Sequence, residues 1–192
     1  MKQLQLGVFG SAFDPPTRGH LDVIRQSASH FDSILLVPSA SHAFAKKMQS
    51  FEHRIAMLQA FMEALGNVGC HLELCFIEAE LLKKAPDQPV YTFDVLSALE
   101  AQYCEDIAIS FIRGPDNADP QVWHSFYKAR AIERRWGIFT AQQQVSARSS
   151  QVRALMAGQG PGEVTHKLLA PLLLPTVSDY ILRNGLYLEE SQ

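Results

Sequence analysis

The segment from Gly7 to His20, GVFGSAFDPPTRGH, restricts the fold more than any other stretch of this chain. Leu4, Leu6, Val8 and Phe9 form an apolar run suited to a buried strand of a parallel sheet, and Gly7 and Gly10 allow close backbone approach. Pro15 and Pro16 can neither extend a ladder nor sit inside a helix, so Asp14 to Arg18 must be a loop. A helix is expected to start near Gly19, with its unpaired N–H groups and positive dipole end facing that loop. The junction is therefore a place for a phosphate, and His20 sits in the first helical turn. Taken singly, His20 reads as an ordinary helix residue, Thr17 as a cap and the two prolines as a turn. Their succession behind a strand is what points to chemistry.

Composition bounds the rest. The chain has 192 residues, 47% hydrophobic and 19% charged, which fits one compact domain with a normal core. A formal charge of −3 gives no general pull toward nucleic acid or an anionic membrane, so any phosphate binding must be local. Cys70, Cys75 and Cys104 are odd in number and lack C-x-x-C spacing, which argues for buried free thiols rather than disulfides or zinc. The N-terminus reads directly into a strand with no signal-like core, and no apolar run reaches membrane-spanning length. A soluble cytoplasmic protein is expected.

Further along, Leu21, Ile24 and Ala28 give the first helix a packing stripe that ends near Phe31. Ser33 to Pro38 reads as the second strand, followed by a loop in which Lys46 and Lys47 are either solvated charges or phosphate ligands beyond a strand's carboxyl end. Ser50 to Leu65 reads as a helix with Ser50 as cap and Ile55, Leu58 and Met62 on one face. Arg54 in its first turn reads equally as a surface or ion-pairing arginine or as one facing a ligand. His71 to Ile77 alternates like a third strand, and the charged, proline-bearing stretch to Val90 reads as a connecting loop. Thr92 is expected to cap a helix packed through Val95, Leu96 and Leu99.

Asp106 to Ile112 is the expected fourth strand, with Gly114 and Asp116 at its carboxyl end, where a backbone N–H or a carboxylate could meet a ribose. Trp123 reads first as a packing residue. A short helix to about Arg135 and a strand over 136–141 follow. The alternation predicts one α/β domain, residues 1–192, with a mainly parallel Rossmann-like sheet flanked by helices and a C-terminal helical portion from about 149. In SARSSQVRALM, Ser149 or Ser150 is a plausible N-cap, while Arg153 near the helix start opposes the dipole preference and so suggests an external anion.

The strand, the small-residue turn, FDPP and T-x-G-H together resemble the (H/T)-x-G-H nucleotide-binding motif of the nucleotidylyltransferase superfamily. SSQVR resembles the S-T-x-x-R element that completes the triphosphate site in adenylyltransferases. The tail LPTVSDYILRNGLY, the segment KKAPDQPVYTFDVLSAL and the G-x-D…W run RGPDNADPQVW resemble nicotinate mononucleotide adenylyltransferases. The resemblance implies transfer of AMP from ATP to the phosphate of nicotinic acid mononucleotide, giving nicotinic acid adenine dinucleotide and pyrophosphate. It implies that His20 donates a hydrogen bond to phosphate in the transition state, Thr17 assists through its hydroxyl, and Arg153 holds the leaving pyrophosphate. Gly10, Ser11, Ala12, Phe13, Asp14, Gly114, Asp116, Ser149 and Ser150 fall on the ATP side, and Lys46, Lys47, Arg54, Thr92 and Trp123 on the acceptor side. Mg²⁺ would arrive bridging ATP phosphates, with no dedicated protein ligands. The partners implied are ATP and a pyridine mononucleotide, with no nucleic acid or membrane, and with homo-oligomerisation left open. Two alternatives stand beside this: transfer to nicotinamide mononucleotide or another phosphate acceptor, and a catalytically silent nucleotide-binding regulatory module. The second is motivated by GSAFDP in place of the family's GGTFDP and by a short segment before Ser146.

Overall fold

Strands whose residues are apolar on both faces need cover on both sides, and this chain provides it. The computed structural model describes residues 3–40, 48–103 and 107–188. Among them, β1 (Leu4–Ser11), β2 (Ser33–Pro38), β3 (His71–Leu74), β4 (Ile107–Arg113) and β5 (Gly137–Thr140) form one parallel sheet in the order β3-β2-β1-β4-β5. Val8 lies between Leu35 of β2 and Phe111 of β4, so the first strand is central. The order runs outward in both directions from the β1–β4 pair, and the carboxyl edge at such a reversal is where open parallel sheets bind ligands.

The described chain divides into two compact units, treated separately below. The first holds the sheet, residues 3–11, 23–40, 67–103 and 107–143. Leu6, Val8, Leu35, Val37, Ile109 and Phe111 share one sheet face with Val95, Leu96, Leu99, Trp123, Ala129 and Ile132. These come from α4 (Thr92–Gln102), α5 (Pro120–His124) and α6 (Ala129–Arg135). The opposite face is closed around Gly7, where an added Cβ would stand 2.7 Å from Ile112 Cδ1 and 2.9 Å from the Phe31 ring. Gly7 is therefore required by packing. Gly10 is not, since a Cβ there would meet only Val37 O at 4.0 Å.

Several expectations are corrected in this unit. β3 stops at Leu74, and Ile77–Lys84, expected to be strand end and loop, is helix α3. Its Glu78 and Glu80 lie in the first turn and Lys83 and Lys84 in the last, matching the dipole, while Ile77 is buried. Buried Glu78 also accepts the Ala40 N–H at 3.0 Å. Thr92 is the first residue of α4 rather than its cap; Asp94 takes the Tyr91 N–H at 3.1 Å instead. Cys70 and Cys75 are free but only partly buried, and Cys104 lies outside the described residues.

The second unit comprises residues 12–22, 48–66 and 144–188. Its helices are the first half of α1 (Arg18–Ser27), α2 (Phe51–Leu65), α7 (Ser149–Gln159), α8 (Glu163–Leu169) and α9 (Pro175–Arg183). Ser50 caps α2 as expected, accepting from His53 N. The buried stripe of α2 is Arg54, Met57, Leu58 and Phe61, one step away from the expected Ile55, Leu58 and Met62. Both stripes satisfy a helical period; the charge of Arg54 hid the true one. α2 packs on α9, with Thr176 Oγ1 donating to Ala60 O at 2.8 Å. The start of α7 is also corrected: Arg148 is the cap residue, its N–H taken by the Gln151 side chain at 2.7 Å, and Ser149 and Ser150 are the first two helical residues.

Candidate active site

In the second unit the segment Ala12–Thr17 leaves the end of β1 and turns into α1. Phe13 takes a left-handed backbone, φ 47, which is uncommon for a bulky residue, and its ring is fully buried 5.0 Å from that of His20. The Asp14–Pro15 peptide is cis. Side chains from two helices engage the turn's carbonyl oxygens. Arg54 Nη1 of α2 donates to Ala12 O at 2.8 Å, while Arg153 Nη1 and Ser149 Oγ of α7 donate to Asp14 O at 2.6 Å and Pro15 O at 2.7 Å. Oxygens that would repel an anion are thus occupied by protein donors.

Arg54 is 1% exposed, and its Nε also donates to Gln49 O at 3.1 Å. It braces the turn, and its burial corrects the expectation of a surface arginine. Arg153 lies 3.9 Å from Asp14 Oδ2. Asp14 itself is 2% exposed; its Oδ1 accepts from Tyr187 Oη at 2.7 Å and Gln49 N at 3.3 Å, and Oδ2 has no hydrogen-bond partner among the described residues.

At the start of α1 the Thr17 N–H donates to His20 Nδ1 at 3.0 Å. Nδ1 is therefore the acceptor nitrogen, and a neutral His20 carries its proton on Nε2. Burial lowers the His20 pKa from 6.5 to about 4, so the ring is neutral at physiological pH. The Thr17 hydroxyl donates to Ala147 O at 2.9 Å, and its oxygen also lies 3.0 Å from His20 Nδ1. A Cβ on Gly19 would stand 2.3 Å from Ala147 O, so this glycine makes room for the segment ahead of α7. Asp22 Oδ2 holds the segment from the other side, accepting from Gln144 N and Val145 N at 3.0 Å each. Arg18 ties the turn to the α8–α9 connection through Ala170 O and Leu173 O, both at 3.0 Å.

Ala12, Phe13, Asp14, Thr17, His20, Arg54, Ser149 and Arg153 thus come together within one unit, with Ser150 exposed beside them at the second position of α7. Gly10 and Ser11 end β1 in the first unit, and Gly114 and Asp116 follow β4 on the same carboxyl edge, Asp116 within a 3-10 turn over Pro115–Asn117. Thr92 is partly buried at the start of α4. Trp123 is corrected from the acceptor side to the core: it is 1% exposed, stacks on Phe111 at 5.9 Å, donates its indole N–H to Glu133 at 2.8 Å and carries the Arg113 guanidinium over its ring. Lys46 and Lys47 lie outside the described residues. The sequence marked Gly19 within T-x-G-H and Tyr187 within the tail but gave neither an anchoring role, and it passed over Asp22; Tyr187 is 173 residues from Asp14, and no local spacing signals such a pair. Among the described residues no group of three or more His, Cys, Asp or Glu is placed to hold a metal ion.

Residues 8–155, most of the turn-and-helix framework just described, match the cytidylyltransferase-like family. The chain belongs to this family of nucleotidyltransferases. A probable nicotinate-nucleotide adenylyltransferase of Myxococcus xanthus is 30% identical over 134 residues, covering 68% of this chain and 66% of the relative. A phosphopantetheine adenylyltransferase of Desulforamulus reducens is 34% identical over 111 residues, covering 58% of this chain and 55% of the relative. The chain therefore spans just under two thirds of the first relative and about half of the second. A solved structure of a candidate nicotinate-nucleotide adenylyltransferase from Vibrio parahaemolyticus superposes with a TM-score of 0.76 at 31% identity and covers 97% of both chains. In the described residues no helix is long and apolar enough to cross a membrane.

Proposed function

We propose that this chain transfers the adenylyl group of ATP to the phosphate of nicotinic acid mononucleotide, releasing pyrophosphate and forming nicotinic acid adenine dinucleotide for NAD biosynthesis. The observation that carries the reading is the fixed neutral tautomer of His20 at the start of α1, in the same unit as Arg153. A mononucleotide phosphate oxygen attacks the α-phosphorus of ATP, the bond from that phosphorus to the bridging oxygen breaks, and pyrophosphate departs with the electron pair. No covalent enzyme intermediate is needed, so catalysis rests on positioning and charge stabilisation.

In this reading His20 Nε2–H donates to a nonbridging oxygen of the α-phosphoryl group. Because the ring is neutral, it supplies a hydrogen bond rather than a charge. Thr17 acts through His20, its backbone N–H fixing the tautomer. Arg153, a guanidinium with five N–H donors, uses one nitrogen on the turn and faces the pyrophosphate with the others. Ser150 and the N–H groups at the start of α7 add donors for the same oxygens. Gly10, Ser11, Gly114 and Asp116 are assigned to the ATP side by their place at the carboxyl edge of the sheet. Lys46, Lys47 and Thr92 belong to the acceptor side. Mg²⁺ entering with ATP would offset charge on the phosphates, leaving the N–H, hydroxyl and guanidinium donors of the turn and α7 to hold the remaining phosphate oxygens.

The chain works as one nucleotidyltransferase domain, a reading supported by a family match that runs through segments of both units. The free thiols of Cys70 and Cys75 suit a reducing cytoplasm. The Desulforamulus relative favours one other acceptor, the phosphate of phosphopantetheine. Pyrophosphate release from Mg²⁺–ATP with nicotinic acid mononucleotide, nicotinamide mononucleotide or phosphopantetheine, against no-acceptor and EDTA controls, separates these readings. Greatest kcat/KM with the nicotinate compound, and loss of at least about 10²-fold in kcat for His20→Ala, are expected. A preference for another acceptor keeps the chemistry and overturns the substrate. ATP binding without release in any case makes the chain a regulatory module.

A further inference from the structure

Tyr187 lies near the end of the described chain, past α9, where Gly185 N–H bonds to Leu182 O and Leu186 N–H to Ile181 O reverse the backbone. Leu186 is buried, Leu188 is 38% exposed, and Tyr187 between them has φ 63, a left-handed conformation that costs a bulky residue energy unless its surroundings compensate. The compensation is visible. The side chain reaches Asp14 Oδ1 at 2.7 Å and lies 3.8 Å from Met57 Sδ. The phenol stays protonated because burial, then the Asp14 charge, raise its pKa far above the ordinary value, so it is always the donor.

Asp14 depends on that donor. Its other bond, from Gln49 N, is long at 3.3 Å, Oδ2 has no hydrogen bond among the described residues, and Arg153 stands 3.9 Å away while bonding the same residue's main-chain oxygen. Facing Asp14 are Arg153 from α7 and Tyr187 from the tail, with Arg54 of α2 on the neighbouring Ala12 O and Gln49 O and His20 of α1 beside the Phe13 ring. We propose that Tyr187 is a positioning residue for nucleotidyl transfer: its hydroxyl holds the Asp14 carboxylate, and through it Arg153, in the arrangement that receives the triphosphate. This rests on the function proposed above and adds the chain's last segment to the machinery.

The test compares the full-length wild type, Tyr187→Phe and Thr176→Val. The last removes a tail hydroxyl bond, Thr176 to Ala60 O, that touches no titratable group. Pyrophosphate release is measured from pH 5 to 9 with Mg²⁺–ATP and the best acceptor. Without the phenolic donor the Asp14–Arg153 arrangement that receives the triphosphate is no longer held, so kcat/KM for ATP should fall about tenfold across this range in Tyr187→Phe while KM for the acceptor stays unchanged. Thr176→Val should follow the wild type even if its Tm falls. Superposed profiles for Tyr187→Phe and wild type overturn the proposal and leave the function intact. If the wild type releases no pyrophosphate with any acceptor, the function reading fails. ATP affinity of the same proteins then decides: weaker binding confined to Tyr187→Phe supports the tether, and equal affinities overturn it.

Discussion

Replacing Gly19 by alanine inverts the usual effect of that substitution. At an open helical position Gly→Ala stabilises by up to about 1 kcal/mol, since alanine loses less backbone entropy on folding. At Gly19 the new methyl would stand 2.3 Å from Ala147 O and 3.4 Å from Thr17 Oγ1. The obstacle is backbone, so it cannot rotate away, and overpacking of this kind costs about 1–3 kcal/mol. Moving Ala147 O also stretches the 2.9 Å bond from the Thr17 hydroxyl, a loss of about 1 kcal/mol. Set against the helix gain, the net effect is a destabilisation of about 1–3 kcal/mol. Urea unfolding of wild type, Gly19→Ala and Gly158→Ala reads it directly. Gly158 lies in α7, and nothing comes within 4 Å of where an alanine methyl would stand, so Gly158→Ala should raise the midpoint while Gly19→Ala lowers it. Because Thr17 orients His20, kcat should fall by about tenfold as well. A Gly19→Ala protein as stable as wild type would refute the packing of the turn against the segment ahead of α7.

The remaining predictions concern charge. Between pH 6.5 and about 4 the unfolded chain binds a proton at His20 that the folded chain does not, so stability falls by up to about 3 kcal/mol as pH drops through that window. Chemical denaturation at a series of pH values should show the slope in wild type and its loss in His20→Asn, and kcat should show no step near pH 6.5 from this residue. Arg54→Met should cost about 3–5 kcal/mol, because it leaves Ala12 O and Gln49 O without donors and removes a buried charge near Asp14. Denaturant unfolding measures that loss, and an effect below about 1 kcal/mol would contradict the structural role assigned to Arg54.

Local chemistry made much of the fold legible. Ser33–Pro38 is recognisable as a strand from its continuous apolar run, and Ser50 as a cap from its place before an acidic first turn. His20, Asp14 and Arg153 are recognisable because loop-breaking prolines and a helix start sit together in one short segment, and because an arginine near a helix N-terminus is unfavourable without an anion or acceptor. Other roles depended on partners. Arg54 reads evenly as a surface or ion-pairing residue or as one facing a ligand until Ala12 O and Gln49 O are brought to it. Trp123 reads by its size as core first, yet the resemblance put it on the acceptor side, and its burial against Phe111 with the bond to Glu133 decides for core. The acidic start and basic end of α3 were present in the sequence, but its proline-bearing continuation concealed them.

What the sequence determined by itself was most of the succession of strands and helices, α3 excepted, and the strand–turn–helix layout of the first segment, since both follow from residues within a helical turn or two of one another. The tertiary structure alone decided which acceptor each side chain in that turn would meet. The Thr17 hydroxyl goes to Ala147, 130 residues away, and the Tyr187 hydroxyl goes to Asp14, 173 residues away. The reason is physical: a periodic pattern specifies which face of a helix is buried, whereas a buried hydroxyl or carboxylate takes whichever partner the folded chain brings within hydrogen-bonding distance.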